Sequence, residues 1–275
     1  MLRQFKYLAP TSEEELLKLL AAYGEKAKLF AGGTNVFVDI RSDLQRPEYV
    51  VDVKKIPGVK DITFTPGTGL VIGAAVTCNE LIESKFVCEK YPLLQAAAKE
   101  LASYQIRNRA TVTGNICYGS PAADMAPALL ILDGRLKVVS IAGEELILLK
   151  NFYKGVRKTA LNTGDFVKSI VVPEEYISMK GLYKKSKRVK GHDLTIAGVA
   201  MGKIRDVFRI AIGSCAPTPV LLDEIPVSTP LSEIIDYVIK AIKPIDDLRG
   251  SGEYRKHMVE VYVKRIYEEL GGTSR

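Results

Sequence analysis

The middle of the chain is unusually dense in glycine and other small residues, over Ile106-Arg-Asn-Arg-Ala-Thr-Val-Thr-Gly-Asn-Ile-Cys-Tyr-Gly-Ser-Pro-Ala-Ala-Asp-Met-Ala-Pro127. We expect this stretch to turn at Gly114-Asn115 and again at Gly119-Ser120, and then to enter an apolar segment, Met125 to Leu132. Small residues let a ligand or another backbone approach closely, and free amide N–H groups in such a loop can hold a pyrophosphate. Chemistry alone therefore leaves two interpretations, an anion-binding loop or a tight connection between a strand and a helix.

A second glycine turn, Ala31-Gly32-Gly33-Thr34-Asn35, lies near the N-terminus. It follows a predicted strand, Lys28 to Ala31, and precedes a helix-compatible stretch, Asn35 to Ile40. A strand, a glycine turn and a helix in succession present backbone amides to phosphate. The turn is not GxGxxG, so the ordinary dinucleotide-binding fingerprint is absent.

Together the two segments resemble the FAD-binding (medium) subunits of the molybdenum hydroxylases, the family of xanthine, aldehyde and carbon monoxide dehydrogenases. That family carries an AGGT-(D/N)-type loop near the N-terminus. It also carries IRN-x-(A/G)T-(I/V)-x-GN followed by SPAAD-x-AP. Both motifs are present here in order and at similar spacing. The resemblance covers essentially the whole chain and is densest over 29–56 and 101–133.

The resemblance implies FAD as the cofactor, with its pyrophosphate held between the two loops by backbone N–H groups. It implies the following cofactor-binding residues: Leu29, Phe30, Ala31, Gly32, Gly33, Thr34, Asn35, Val36, Thr111, Gly114, Asn115, Ser120, Asp124, Val167 and Lys185. One departure is Thr113, where many relatives have glycine. Because a β-branched residue tolerates positive φ poorly, we expect negative φ at Thr113.

Asp124 and Lys185 each allow a second interpretation. Asp124 matches the family aspartate on the ribityl side of the flavin, but it could also be only the N-cap of the helix that runs to Leu132. Lys185 matches a family lysine near the flavin, where a cation would stabilise the anionic reduced ring. It could equally belong to a solvated basic strand, Lys180 to Lys190.

The order of predicted elements indicates an α+β protein with three units, 1–55, 56–172 and 173–275. The resemblance implies an FAD-binding fold of the PCMH/vanillyl-alcohol-oxidase type, which has two α/β subdomains. From the residue pattern we expect a mixed sheet in the second unit. In the third unit we expect a three-stranded antiparallel sheet, with a strand over Leu194 to Ala200 and helices over Leu231 to Ile242 and Glu253 to Leu270.

Charge and cysteine usage limit the other classes of function. The net charge is +7, but no nucleic-acid-binding signature accompanies it, so we expect no nucleic-acid partner. The four cysteines form no CxxC, and His192 and His257 have no partner cluster, so neither a metal site nor a histidine-based catalytic group is predicted. No apolar run approaches about 18 residues and no signal peptide begins at Met1, so a cytoplasmic protein without a membrane span is expected.

The leading hypothesis is an electron-transfer subunit. The resemblance implies two partners, a large molybdopterin-binding subunit and a small [2Fe-2S] subunit, in a dimer of heterotrimers. Electrons would leave through FAD to NAD, a quinone or oxygen. One alternative is a self-sufficient FAD-dependent oxidoreductase of the same superfamily, and another is a basic binding module with a vestigial flavin fold.

Overall fold

The computed structural model describes residues 4–189 and 193–271. The predictions that involve Met1, Lys190 and His192 lie outside the described residues. Within these two ranges, no helix is both long enough and apolar enough to cross a bilayer.

The N-terminal unit is a small parallel sheet with two helices. Its elements are β1 (Lys6–Leu8), α1 (Glu13–Tyr23), β2 (Ala27–Phe30), α2 (Val36–Arg41) and β3 (Tyr49–Asp52), and the strand order is β1-β3-β2. Ser12 caps α1 by accepting a hydrogen bond from the Glu15 amide. Leu16 and Leu20 are then buried against the sheet. The open end of β2 continues directly into Gly32-Gly33.

The central unit combines helices with a five-stranded sheet of order β4-β5-β10-β6-β7. Its elements are β4 (Ile62–Thr65), β5 (Gly69–Gly73), α3 (Cys78–Glu83), α4 (Lys85–Lys90), α5 (Pro92–Glu100), α6 (Tyr104–Arg107), α7 (Val112–Cys117), α8 (Met125–Ile131), β6 (Arg135–Ser140), β7 (Gly143–Leu148), β8 (Tyr153–Gly155), β9 (Lys158–Thr159) and β10 (Phe166–Val172). Strands β8 and β9 form a separate short hairpin.

The prediction of a mixed sheet in this unit is wrong. Every described pairing in it is antiparallel, because β10 returns between two hairpins and runs opposite to both of its neighbours. β10 carries a bulge between Val167 and Ser169, which breaks the alternation of its side chains beside the cavity described below.

The C-terminal unit is an antiparallel sheet covered by two helices. Its elements are β11 (Lys180–Ser186), β12 (Ala197–Ile204), β13 (Val207–Gly213), β14 (Val220–Leu221), β15 (Ile225–Pro226), α9 (Leu231–Ala241) and α10 (Gly252–Glu269). The predicted antiparallel sheet of three long strands is confirmed in its arrangement, and two short strands are added at the edge formed by β13.

The C-terminal sheet is buried on both faces. Val199 and Met201 share a core with Val259 and Val263 of α10, whereas Ala200 and Ala211 belong to the core of the central unit. This alternation follows the period of two along a strand. The sheet therefore holds β11 and the start of β12 against the central unit.

The predicted strand at 194–200 lies about three residues too early. β12 begins at Ala197, because Leu194 is 61% exposed and Thr195 turns toward Asp124 instead of pairing in the sheet. The proposed unit boundaries at 55 and 172 stay predictions, and both fall between sheets.

Candidate FAD-binding site

One large cavity, of about 990 Å³, lies where the three units meet. All of the predicted cofactor residues line it except Lys185. Both glycine loops contribute to its wall, as do β10 through Val167 and the segment before β12 through Leu194. The tertiary structure thus brings together two loops that are about eighty residues apart in the sequence.

The two glycine loops touch through their backbones. A Cβ atom at Gly32 would overlap the carbonyl oxygen of Arg109 and lie 2.7 Å from its carbonyl carbon. Gly33 has φ of +75°, a left-handed conformation that L side chains rarely adopt. Glycine is therefore needed at both positions, at Gly32 for the close approach and at Gly33 for the turn.

The first loop has free hydrogen-bond donors. Within the described residues, the amide N–H groups of Gly32, Gly33 and Thr34 donate no hydrogen bond. Unpaired backbone amides at the wall of a cavity form a suitable site for a phosphate anion.

The polar side chains of the second loop also leave donors available. The Thr111 hydroxyl accepts from the Gly114 amide at 3.1 Å and caps α7, and the Asn115 side-chain oxygen accepts from the Met125 amide at 3.2 Å. Their acceptor atoms are thereby used within the chain, whereas the Thr111 O–H and the Asn115 NH₂ keep protons to donate. This polarity suits an anionic ligand.

Thr113 fits this loop without strain. It lies inside α7 and is absent from the described residues with positive φ, so the expectation of negative φ is confirmed. Thr113 therefore needs no left-handed backbone, and the turn expected at Gly114-Asn115 is wrong, because both residues continue α7.

Asp124 does not act as a helix cap. Its carboxylate makes no capping hydrogen bond to α8, and its Oδ1 instead accepts from three side chains: Lys185 Nζ at 2.9 Å, Tyr183 Oη at 3.1 Å and Thr195 Oγ1 at 2.6 Å. Burial raises the pKa of the Asp124 carboxyl, and the charge of Lys185 and these hydrogen bonds oppose that rise. Burial likewise raises the pKa of the Tyr183 phenol, so it stays protonated and can donate.

Lys185 is not part of a solvated strand. Its side chain is fully buried, and its Nζ also lies 3.4 Å from the carbonyl oxygen of Asp193. It lies behind Asp124 and does not line the cavity. Its positive charge therefore acts on the Asp124 carboxylate, which does line the cavity. Its neighbours in the basic segment are paired as well, Lys184 with Glu269 and Lys187 with Glu100.

Several residues at the cavity carry no motif that would have identified them. Arg157 lines the wall, stacks 4.7 Å above the ring of Tyr118, and lies 3.7 Å from the buried carboxylate of Asp39. Tyr183 and Thr195 were missed because their contact is with Asp124, which is 59 and 71 residues away from them in the sequence. Two cations, Lys28 and Arg46, also line the cavity.

Among the residues that the structure describes, no group of three or more His, Cys, Asp or Glu side chains is arranged to share a metal ion. The site instead combines a cavity of dinucleotide size, hydrogen-bond donors from two glycine loops and flanking cations. Such a site defines a protein that binds a long anionic nucleotide cofactor.

Comparison with known proteins agrees with this class. The family model for the FAD binding domain in molybdopterin dehydrogenase matches residues 3–175. The model for the CO dehydrogenase flavoprotein C-terminal domain matches residues 181–270.

Individual relatives align over nearly the full length. The chain is 31% identical to the carbon monoxide dehydrogenase medium chain of Hydrogenophaga pseudoflava, with 95% of each chain covered. It is 30% identical to the xanthine dehydrogenase FAD-binding subunit of Escherichia coli O157:H7, over 91% of this chain and 90% of that one. The fold matches a chain of Cu,Mo-CO dehydrogenase in its cyanide-inactivated form, with a TM-score of 0.92, 27% identity and 98% of each chain covered. The protein belongs to the family of FAD-binding medium subunits of molybdenum hydroxylases, and its cofactor is FAD.

Proposed function

We propose that this chain passes electrons from the [2Fe-2S] clusters of a small partner subunit, through FAD, to an external acceptor. The main observation in support is the large cavity at the junction of the three units, lined by donors from both glycine loops. The flavin supplies the redox chemistry when it is bound, since it accepts and releases electrons reversibly. The chain's own residues bind it, orient it and set the charge around it.

Within this proposal the residues have separate tasks. The amides of Gly32, Gly33 and Thr34 and the donors of Thr111 and Asn115 hold the pyrophosphate. The remaining predicted cofactor residues form the wall around the nucleotide: Leu29, Phe30, Ala31, Asn35, Val36, Gly114, Ser120 and Val167.

The charged pair behind the cavity wall has a different task. Asp124 binds the ribityl side of the cofactor, and Lys185 compensates the charge of that carboxylate. No residue of this chain is assigned an acid–base role in catalysis.

The partners follow from what the relatives are called. Those relatives are medium chains and FAD-binding subunits, names that describe one component of a larger enzyme. We therefore infer a large molybdopterin-binding subunit and a small [2Fe-2S] subunit, assembled as a dimer of heterotrimers. NAD, a quinone and oxygen are the candidate acceptors, and the cytoplasm is the proposed compartment.

Affinity purification of the tagged full chain from its native host tests the assignment. We expect FAD, iron and molybdenum in constant proportion, and two further polypeptides. In that complex, clusters reduced by a limiting amount of dithionite should be reoxidised by the acceptor only while FAD is present. A chain that purifies alone with FAD and reduces an acceptor itself, without iron or molybdenum, would favour the self-sufficient oxidoreductase.

A further inference from the structure

Two side chains of the C-terminal unit, Tyr183 and Thr195, converge on an aspartate of the FAD-binding region. We propose that they are positioning residues, which fix the Asp124 carboxylate so that its Oδ2 faces the cofactor. The inference deepens the proposed function, because it rests on FAD being bound in the large cavity.

Among the residues that the structure describes, the side-chain hydrogen bonds to the Asp124 carboxylate are confined to one oxygen. Thr195 Oγ1 lies 2.6 Å, Lys185 Nζ 2.9 Å and Tyr183 Oη 3.1 Å from Oδ1. None of the described residues donates to Oδ2. This oxygen is nevertheless not one of the fully buried atoms without a partner, so it keeps some exposed surface. Since Asp124 lines the cavity, Oδ2 is the oxygen that remains for a ligand hydroxyl.

The local backbone explains how the donors reach one point. Tyr183 and Lys185 are two residues apart on β11, so their side chains leave the same face of the strand. Thr195 arrives from the segment just before β12 and belongs to the part of the chain that leaves the sheet.

Gly198 provides the space for these side chains. It pairs with Lys185 across the sheet, and a Cβ atom there would lie 2.9 Å from Tyr183 Oη and 3.1 Å from Thr195 Cγ2. Both distances are shorter than ordinary van der Waals contact, so a larger residue would push the two hydroxyls away from Asp124.

The arrangement has an energetic reason. A carboxylate that is 7% exposed needs both a counter-charge and hydrogen bonds to remain ionised and in one orientation. Lys185 provides the charge, but a single ammonium on a flexible stem does not by itself define the rotation of the carboxylate. The two hydroxyls add fixed directions, and both come from the C-terminal unit. The C-terminal unit, which contains neither glycine loop, therefore completes the FAD site.

The experiment compares FAD affinity of the full chain after removal of each hydroxyl. Thr195→Val keeps the shape of the side chain, Thr195→Ser keeps the hydroxyl, and Tyr183→Phe removes only Oη. Tyr237→Phe is a matched control, because it removes a 3.2 Å phenol–carboxylate hydrogen bond to Asp223 in the same unit, among residues that do not line the cavity. Apoprotein is titrated with FAD, and both the flavin spectrum and the reduction potential of the reconstituted protein are recorded.

We expect Thr195→Val to weaken FAD binding about tenfold, equivalent to about 1.4 kcal/mol, and to shift both the flavin spectrum and the potential. Thr195→Ser should bind within about twofold of the wild type, Tyr183→Phe should fall between the two, and Tyr237→Phe should match the wild type.

Wild-type affinity and spectrum in Thr195→Val would overturn the positioning role while leaving the proposed function standing. The positioning role would also be overturned if Thr195→Ser bound FAD as weakly as Thr195→Val does. The bulk of the side chain, and not its hydroxyl, would then account for the lost affinity. A wild-type chain that takes up no FAD at all would overturn the proposed function together with this inference.

Discussion

Replacing Gly33 by alanine is the sharpest test of the first glycine loop. The residue has φ of +75°, and a Cβ atom there would overlap Cε2 of Phe30 and lie 2.8 Å from Cδ2 of Phe37. The two rings pack with their centroids 5.0 Å apart, so neither can move without disturbing the other. The substitution therefore strains the backbone and forces the loop away from the rings.

The expected effect of Gly33→Ala has two parts, a loss of stability and a loss of FAD affinity. Positive φ in alanine costs roughly 1–2 kcal/mol of stability, and an off-rotamer ring adds roughly 0.5–1.5 kcal/mol. The displaced amides should lose at least one hydrogen bond to the charged pyrophosphate, worth about 1.5–3 kcal/mol. FAD binding should accordingly weaken by about 10- to 100-fold.

Gly67→Ala supplies the matched control. Gly67 has φ of +82°, and no atom of the described residues lies within 4 Å of the Cβ position. It sits in the hairpin turn between β4 and β5, outside the cavity, so it carries the same backbone strain without the loop displacement.

FAD titration of apoprotein, monitored by the change in flavin fluorescence, measures the affinities of both variants. Thermal unfolding of the apoproteins measures stability separately, so that bound cofactor does not mask the strain. If Gly33→Ala bound FAD as tightly as Gly67→Ala does, the loop would not hold the pyrophosphate and the two-loop site would be wrong.

Three further predictions concern the rest of the chain. Gly114→Ala should also weaken FAD binding in the same titration, because its Cβ would lie 2.6 Å from the capping oxygen of Thr111; unchanged affinity would remove α7 from the site. Neighbouring arginines, chiefly Arg249, hold the pKa of the Asp247 carboxyl well below its ordinary value. The ionised group therefore stabilises the fold at any pH above its unfolded pKa of about 3.9, and this contribution is lost as pH falls through its folded pKa. In Asp247→Asn, the free energy of unfolding measured in urea should therefore fall less steeply below about pH 5 than in the wild type. The same decline in both proteins would contradict this role of Asp247. Iodoacetamide at about pH 8 should label exposed Cys88 first, because burial raises the pKa of the Cys78, Cys117 and Cys215 thiols to about 12. Peptide mass spectrometry measures the labelling, and equal labelling of all four cysteines would contradict this packing.

Local signals were sufficient wherever a short stretch of sequence controls its own conformation. Ser12 and Glu15 mark the start of α1, Thr77 and Glu80 form a capping box at α3, and the turn at 66–69 joins β4 to β5. These features depend on hydrogen bonds and φ preferences within a few residues, so the sequence carries them directly. The two glycine motifs likewise indicated the loops that line the cavity.

Long-range placement could not be predicted in the same way. The mixed sheet expected in the central unit proved to be fully antiparallel, since the position of β10 between β5 and β6 depends on contacts across about a hundred residues. The start of β12 was shifted because Thr195 leaves the sheet to bond Asp124. No local pattern encodes either event.

By itself, then, the sequence indicated the cofactor through the resemblance that its two glycine motifs carry, whereas the glycines alone left an anion-binding loop and a tight connection equally open. It also carried the helix starts and turns that capping residues and glycines mark locally. Only the tertiary structure decided how the charges are arranged. Lys185 stands behind Asp124 instead of at the cavity wall, and Tyr183 and Thr195 complete the shell of that carboxylate. A buried carboxylate is stabilised by whichever donors the packing of separate units brings within about 3 Å, and proximity of that kind does not exist until the chain has folded.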